Sequence, residues 1–212
     1  MPKGKSERIA ARKREIISAC EKLYQTMSFK EITLKDIGNE TSFSRPTIYN
    51  YFQTKEEIFL ALFELEYERW NEDLEGIMKK YESLTRQELA SQLAYSLERR
   101  EQLLKLLSMN NFDMEENSRQ ELLVSFKAAY GKSMDHVRSI LDRFCPGMSH
   151  ADKQSFIYTF FPFMFGIYPY TAVTDKQQQA MQEAGVNYSY HSIYDLTYRC
   201  LIRLLEDDPS GE

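Results

Sequence analysis

The sequence predicts an all-α protein that begins with a helix-turn-helix unit. Its 212 residues include only eight glycines and six prolines, too few turn residues for a fold of many short strands. Apolar residues recur at three- and four-residue steps along most of the chain, which is the helical period, and no segment alternates as a strand does. Two short capped segments between residues 33 and 51 have helix-turn-helix spacing.

Three helices are expected in the N-terminal part. The apolar residues from Glu7 to Met27 form one stripe of an amphipathic helix. Thr33, followed three residues later by an aspartate, resembles a capping box and predicts a second helix from Leu34 to about Glu40. Ser44 is the expected N-cap of a third helix over Arg45–Tyr51, where a proline occupies the first turn. We expect this helix-turn-helix domain, with its basic N-terminal arm, to span residues 1–54.

Longer helices are expected in the remainder, residues 55–212, which we interpret as a second, helical domain. Thr54 and Glu57 have capping-box spacing and begin a helix from Lys55 to about Tyr81. Further helices are predicted at Leu89–Leu97, Leu103–Leu107, Leu122–Phe144, Asp152–Val173 and Tyr188–Leu205. A glutamine-rich stretch between the last two is a candidate for a short helix of its own.

The charge is distributed unevenly along the chain. Residues 1–55 contain eleven Lys and Arg against six Asp and Glu, a balance of +5, which leaves −10 for residues 56–212. A basic N-terminal quarter on an acidic remainder suggests that the first part meets a polyanion. A solvated charged helix is the open alternative. The basic arm consists of Lys3, Lys5, Arg8, Arg12, Lys13 and Arg14.

The third helix has one apolar and one polar side. At 100° per residue, Ile48 and Phe52 fall on the side expected to pack inward. The opposite side carries Pro46, Thr47 and Asn50. Tyr49 and Tyr51 flank this polar side, where their hydroxyls could reach phosphates if the helix lay in a DNA groove. Partly buried packing residues are the alternative interpretation of both tyrosines.

The runs Thr33–Ile37, Ser44–Phe52 and Lys55–Ile58 resemble the DNA-binding domain of TetR-type transcriptional regulators over roughly residues 8–60. The resemblance implies an all-helical, usually dimeric protein whose C-terminal domain binds a small effector and thereby releases an operator. It implies phosphate contacts by Thr33, Tyr49, Tyr51 and Lys55. It implies base-facing positions for Arg45, Pro46, Thr47 and Asn50. Phe43 stands where a smaller valine is usual, so we expect the turn to be packed differently.

The segment Phe156–Val173 contains no charged residue and could nominally span a bilayer. Two prolines and a glycine interrupt it, so we expect a helix buried by its own domain and by a second subunit. The resemblance implies a homodimer through the last two long helices, about Asp152–Val173 and Tyr188–Leu205. Aromatic and Met side chains suit an apolar or aromatic effector, with core packing as the alternative. The candidates are Met109, Phe112, Phe126, Tyr130, Met134, Phe161, Phe165 and Tyr168.

Catalytic and metal sites are not expected. The three cysteines are far apart and form no C-x-x-C pair, which predicts a reducing, cytoplasmic environment without disulfides or zinc. No phosphate-binding loop or hydrolase motif is present, and no cofactor is expected. The spacing of Cys145 and His150 leaves a small enzyme open as a weak alternative.

The expected function is therefore sequence-specific regulation of transcription, as a cytoplasmic dimer on a palindromic double-stranded DNA operator, released by an unknown small molecule. A membrane partner is not expected. The alternative is a helical interaction module whose basic end binds an anionic membrane or an acidic protein.

Overall fold

Every regular element in the described part of the chain is an α-helix, which confirms the predicted fold class. The computed structural model describes residues 3–109 and 111–206. In chain order the helices are α1 (Lys3–Tyr24), α2 (Leu34–Asn39), α3 (Arg45–Ile48), α4 (Lys55–Lys80), α5 (Arg86–Glu98), α6 (Glu101–Leu107), α7 (Asn111–Glu116), α8 (Gln120–Phe144), α9 (His150–Thr171), α10 (Asp175–Glu183) and α11 (Ile193–Leu205).

The chain forms two compact units. Unit 1 comprises the described residues within Met1–Glu66 and Asn110–Ala129, and unit 2 those within Tyr67–Met109 and Tyr130–Glu212. Unit 1 therefore combines the helix-turn-helix with α7 and the first part of α8. The predicted boundary between two functional domains, at residues 54 and 55, stays a prediction. Residues 1–2 and 207–212, which the two predicted domains include, lie outside the described residues.

Side-chain caps begin many of these helices. Thr33 and Asp36 form the predicted capping box, in which the Thr33 hydroxyl accepts from the Asp36 amide and the carboxylate accepts from the Thr33 amide. Four further capping boxes begin at Thr85, Ser149, Thr174 and Ser192. Ser44 occupies the N-cap position of α3, but its side chain makes no capping bond and its Oγ lies 3.2 Å from the Thr47 Oγ1.

Three elements differ from the sequence-based expectation. The last helix begins at Ile193 rather than Tyr188, because Ser192 and Asp195 form a capping box there. Helix α3 ends at Ile48 rather than Tyr51, because the next residues form a turn in which the Tyr51 amide donates to the Ile48 carbonyl at 2.8 Å. Helix α7 was not expected, because its six residues are too few to show a helical period.

The core of unit 1 lies beneath the helix-turn-helix. Ile37 of α2 and Ile48 of α3 are completely buried, and Phe52 is almost so. Helix α2 packs against both α1 and α3. The ring of Tyr24 meets that of Phe59 edge-on, with 5.1 Å between centroids, and joins the end of α1 to α4. The polar side of α3 is thereby left outward.

Aromatic side chains fill the core of unit 2. Tyr67, Trp70, Phe160 and Phe161 are nearly or fully buried, and Tyr130 lies against Tyr67 and Phe161 at centroid distances of 5.5 and 5.6 Å. The Trp70 indole donates to the Ser96 hydroxyl at 3.0 Å, which satisfies its one polar atom. Helix α9 packs against α6 and α11, and α11 also packs against α5.

Helix α9 continues through Pro162 and Pro169 and has six buried apolar residues. Within residues 3–109 and 111–206, no single helix has both the length and the apolar composition needed to cross a membrane; α9 and α10 meet these criteria only as a pair, bent by 83°.

The burial of Ile48 yields a stability prediction. Ile48→Ala removes apolar volume that the surrounding residues cannot refill, so we expect a loss of about 2–5 kcal/mol in the free energy of unfolding. Urea unfolding followed by circular dichroism measures it. The matched control is Ile9→Ala, at an exposed position of α1, which should change stability by less than about 0.5 kcal/mol. Equal effects of the two substitutions would contradict the packing of α3 described here.

Candidate nucleic-acid interface

Helix α3 presents to solvent the side that the sequence predicted. Arg45 and Pro46 of α3 and Asn50 of the turn after it are exposed and Thr47 is half-buried, while Ile48 faces the core. The outward side thus offers a guanidinium, an amide and a hydroxyl, which are groups that hydrogen-bond to base edges or phosphates.

Tyr49 and Arg45 form a pair on this surface. The Arg45 Nη2 donates to the Tyr49 hydroxyl at 3.2 Å, and its guanidinium lies 6.0 Å from the centre of the same ring. The pair joins a predicted base-facing residue to a predicted phosphate contact. Removing the Tyr49 hydroxyl would therefore also release Arg45.

Thr33 and Lys55, two further predicted phosphate contacts, already have partners within the protein. The exposed Thr33 hydroxyl belongs to the capping box of α2. The Lys55 ammonium donates to the Phe29 carbonyl at 2.8 Å and lies 4.1 Å from the centre of the Phe29 ring. Both groups lie at the starts of helices, where backbone amides favour an anion.

Helix α1 braces the turn between α2 and α3. The Glu15 carboxylate accepts from the Ser42 amide, and bonding to Ser42 holds the pKa of Glu15 below its ordinary value. The Arg12 guanidinium lies 4.6 Å from the centre of the Phe43 ring. Phe43, the large side chain that departs from the family pattern, therefore packs against the Arg12 guanidinium of α1. Lys5, Arg8, Arg12 and Arg14 of the basic arm are exposed.

The half-buried Tyr51 marks a set of contacts that sequence reasoning missed. Its carbonyl accepts from the Arg119 Nη2 at 2.9 Å. The same guanidinium donates to both carboxylate oxygens of Glu57, with Nε···Oε1 at 2.6 Å and Nη2···Oε2 at 2.9 Å. The Gln53 amide donates to the Glu57 Oε2 at 2.6 Å. The Glu57 carboxylate therefore binds both the backbone amide of Gln53 and the Arg119 guanidinium, while the backbone amide of Glu57 donates to the Thr54 hydroxyl.

The electrostatics of Glu57 follow from these partners. Only 1% of its side chain is exposed, and burial alone would raise the pKa of a carboxyl. Hydrogen bonds from Arg119 and from the Gln53 amide outweigh that effect, so the pKa of Glu57 lies below its ordinary value. The carboxylate is the stable form in the fold.

The predicted effector-pocket residues fall into both units. Phe126 lies in unit 1 against Phe63, at 4.8 Å between ring centroids, and Phe112 is 84% exposed. In unit 2, Tyr130 and Phe161 are in contact, whereas Phe165 is 41% exposed. The half-buried candidates of unit 2 are Met109, Tyr130, Met134 and Tyr168.

Burial favours the unreactive thiol form of two cysteines. No disulfide joins the described cysteines, and Cys20 and Cys145 are buried. Burial raises the pKa of the Cys200 thiol to about 11 and raises that of Cys20 as well. Within the described residues no group of three or more His, Cys, Asp or Glu is arranged to hold a metal ion.

Comparison with known families defines the class of protein. Residues 16–62 match the description "Bacterial regulatory proteins, tetR family", and residues 64–196 match "Tetracyclin repressor-like, C-terminal domain". The chain belongs to the TetR family of helix-turn-helix, DNA-binding transcriptional regulators. Proteins of this family are regulators rather than enzymes, bind DNA operators as dimers and respond to small-molecule effectors.

Individual relatives agree with this assignment. Over 63 residues the chain is 35% identical to the uncharacterized HTH-type transcriptional regulator YfiR of Bacillus subtilis, a stretch that covers 30% of this chain and 31% of YfiR. The chain thus matches about a third of that relative's length. A TetR/AcrR-family regulator of Thermobifida fusca has a similar fold, with a TM-score of 0.63 and 15% identity over 95% of this chain and 99% of that one.

A second solved structure is FadR of Bacillus subtilis in complex with stearoyl-CoA. Its TM-score with this chain is 0.58 at 18% identity, over 94% of this chain and 98% of that one. Identity this low shows a shared fold alone.

The Glu57 contacts predict a pH dependence. Because the pKa of Glu57 is lower in the folded chain than its ordinary value of 4.5, its stabilisation is complete above that value and is lost as pH falls through the folded pKa. At pH 7, Glu57→Gln should lower the free energy of unfolding by about 1–3 kcal/mol. Below pH 4 the difference from wild type should shrink. Urea unfolding across pH 3–7 measures this difference in the free energy of unfolding. A difference that does not change with pH would contradict the pairing of an ionised Glu57.

Proposed function

We propose that the chain is a ligand-responsive repressor that binds a palindromic operator as a homodimer, with one α3 from each subunit in successive major grooves. The single observation that carries this proposal is the outward polar side of α3, fixed over the buried Ile48. Two-fold symmetry places the half-sites about 34–36 Å apart, one helical turn of DNA. Such a protein acts where the chromosome lies, which in a bacterium is the cytoplasm.

In this proposal the residues of the α3 surface have two roles. Arg45, Pro46, Thr47 and Asn50 face base edges, and Thr33, Tyr49, Tyr51 and Lys55 contact phosphates. Pro46 offers no hydrogen bond, so its exposed ring suits an apolar contact with a thymine methyl. The bond between Arg45 and Tyr49 orients Arg45 before DNA arrives, which lowers the entropy lost on binding.

The proposed dimer forms through α9 and α11. The solvent-exposed side of α9 beyond Ser155 carries no charge and includes Tyr158 and Tyr170, which are 68% and 61% exposed. Large apolar patches of this kind are typical of contacts with another protein. A second copy of the chain would cover this side with the same surface, as two-fold symmetry requires.

The proposed effector is a small apolar or aromatic molecule that binds in unit 2. The aromatic cluster of Tyr67, Trp70, Tyr130 and Phe161 provides the apolar surface. The stearoyl-CoA bound in the Bacillus subtilis FadR structure suggests an acyl chain as the apolar part of such an effector. Release requires that the effector bind better to a dimer whose α3 helices are wrongly spaced for DNA.

Selection of bound duplexes from a random pool, at two salt concentrations, tests this function. We expect enrichment of a palindrome. On that palindrome, Asn50→Ala should weaken binding by about 1–3 kcal/mol and relax preference at one position of each half-site, because it removes a base contact. Tyr51→Phe should weaken binding to all duplexes alike, because it removes a phosphate contact. Equal loss of sequence preference in both variants would contradict this division of roles.

The same selection separates the rival function, a basic end that binds anionic surfaces. Salt-sensitive retention of every duplex without enrichment, together with binding to vesicles of anionic lipid, would support that rival. No enrichment of any duplex would contradict the repressor proposal.

The dimer surface yields a separate prediction. Phe165→Glu places an unpaired carboxylate on the exposed side of α9, and its desolvation should weaken dimerisation at least about 100-fold. Analytical ultracentrifugation should then show monomers where the wild-type chain forms dimers. The control Val124→Glu, at an exposed position of α8 in unit 1, should leave the dimer intact. A dimeric Phe165→Glu protein would place the interface elsewhere.

A further inference from the structure

The segment that leads into α8 is attached to the connection between α3 and α4. The Thr54 hydroxyl donates to the Asn117 carbonyl at 3.0 Å. Two residues later, the Arg119 amide donates to the Glu57 carboxylate at 3.2 Å, beside the bonds of its guanidinium. All of these residues belong to unit 1. The segment Asn117–Arg119 is thus fixed to the end of the α3 region by backbone as well as side-chain groups.

Helix α3 depends on such external support. It has four residues, about one turn, and a helix this short does not hold its geometry in water. Ile48 and Phe52 fix it on the core side. In the turn that follows α3, the Tyr51 carbonyl accepts a hydrogen bond from the Arg119 guanidinium.

From these contacts we infer that Arg119 is a positioning residue for DNA binding: it fixes the Tyr51–Glu57 connection so that the α3 surface keeps the orientation that matches a major groove. The inference rests on the proposed function and adds to it a residue that lies outside the proposed DNA contacts. Arg119 acts through Tyr51 and Glu57, and the buried Glu57 side chain acts with it.

A direct phosphate contact by Arg119 is the competing explanation, because 35% of its side chain is exposed. Salt dependence separates the two roles. Loss of a phosphate contact reduces the slope of log Kd against log salt by about one and weakens binding to every duplex. Loss of a positioning residue weakens binding to the selected palindrome and leaves that slope and the affinity for scrambled duplex unchanged.

The test compares Arg119→Ala, Arg119→Lys and a control on the palindrome and on a scrambled duplex, at four salt concentrations. The temperature is one at which circular dichroism shows every variant folded. The control is Lys127→Ala, which removes a cation of α8 itself, whose ion pair with Glu115 involves no residue of the α3–α4 connection.

For Arg119→Ala we expect at least tenfold weaker binding to the palindrome, with an unchanged salt slope and scrambled-duplex affinity within twofold of wild type. Arg119→Lys keeps the charge but lacks the planar fork that reaches both Glu57 and the Tyr51 carbonyl, so it should recover less than half of that loss on a logarithmic scale. Lys127→Ala should stay within twofold of wild type. If Arg119→Ala does not fold, Glu57→Gln replaces it with the same expected pattern, since its buried side chain cannot reach DNA.

Several results would overturn the inference. Wild-type affinity in Arg119→Ala, or in a folded Glu57→Gln, would show that the attachment does not orient α3. A reduced salt slope with equal losses on both duplexes would make Arg119 a phosphate contact. Full recovery by lysine would show that charge alone suffices. If the wild-type chain selects no sequence, the proposed function fails and this inference with it, a result distinct from the others.

Discussion

The geometry of the helix-turn-helix in unit 1 depends on the pairing of the buried Glu57 carboxylate. An ionised group taken out of water loses several kcal/mol of solvation, which only close and well-oriented partners offset. This carboxylate has such partners in the backbone amide of Gln53 and in Arg119. Its donors come from the turn after α3 and from the segment before α8. A single buried charge on α4 therefore fixes both parts of the chain, although Glu57 and Arg119 lie 62 residues apart in sequence.

Much of the fold could be predicted from the spacing of residues that lie close together in the sequence. The capping box at Thr33 and the apolar stripe that ends near Tyr24 depend on residues three or four apart, so the sequence displays them directly. The short length of α3 was not readable, because the turn after Ile48 is held by long-range partners. Helix α7 was missed because its six residues fit no period.

The candidate site likewise has some features that the sequence predicts and others that it does not. The outward side of α3 follows from 100° per residue, and the i,i+4 spacing of Arg45 and Tyr49 was visible in the sequence, so their contact could have been anticipated. The bond from Lys55 to the Phe29 carbonyl and the pair of Glu57 with Arg119 could not. Both join segments brought together only by folding. The capping-box spacing of Thr54 and Glu57 correctly predicted the start of α4. It did not indicate that the Glu57 carboxylate pairs with Arg119.

The central claim is that two copies of this TetR-family chain place their α3 helices in successive major grooves on one side of a palindromic duplex. Hydroxyl-radical footprinting of the wild-type protein on its selected duplex tests this claim most directly. The account predicts two protected segments, related by two-fold symmetry and one helical turn apart on the same side of the DNA. A single protected segment, or uniform protection without symmetry, would contradict it.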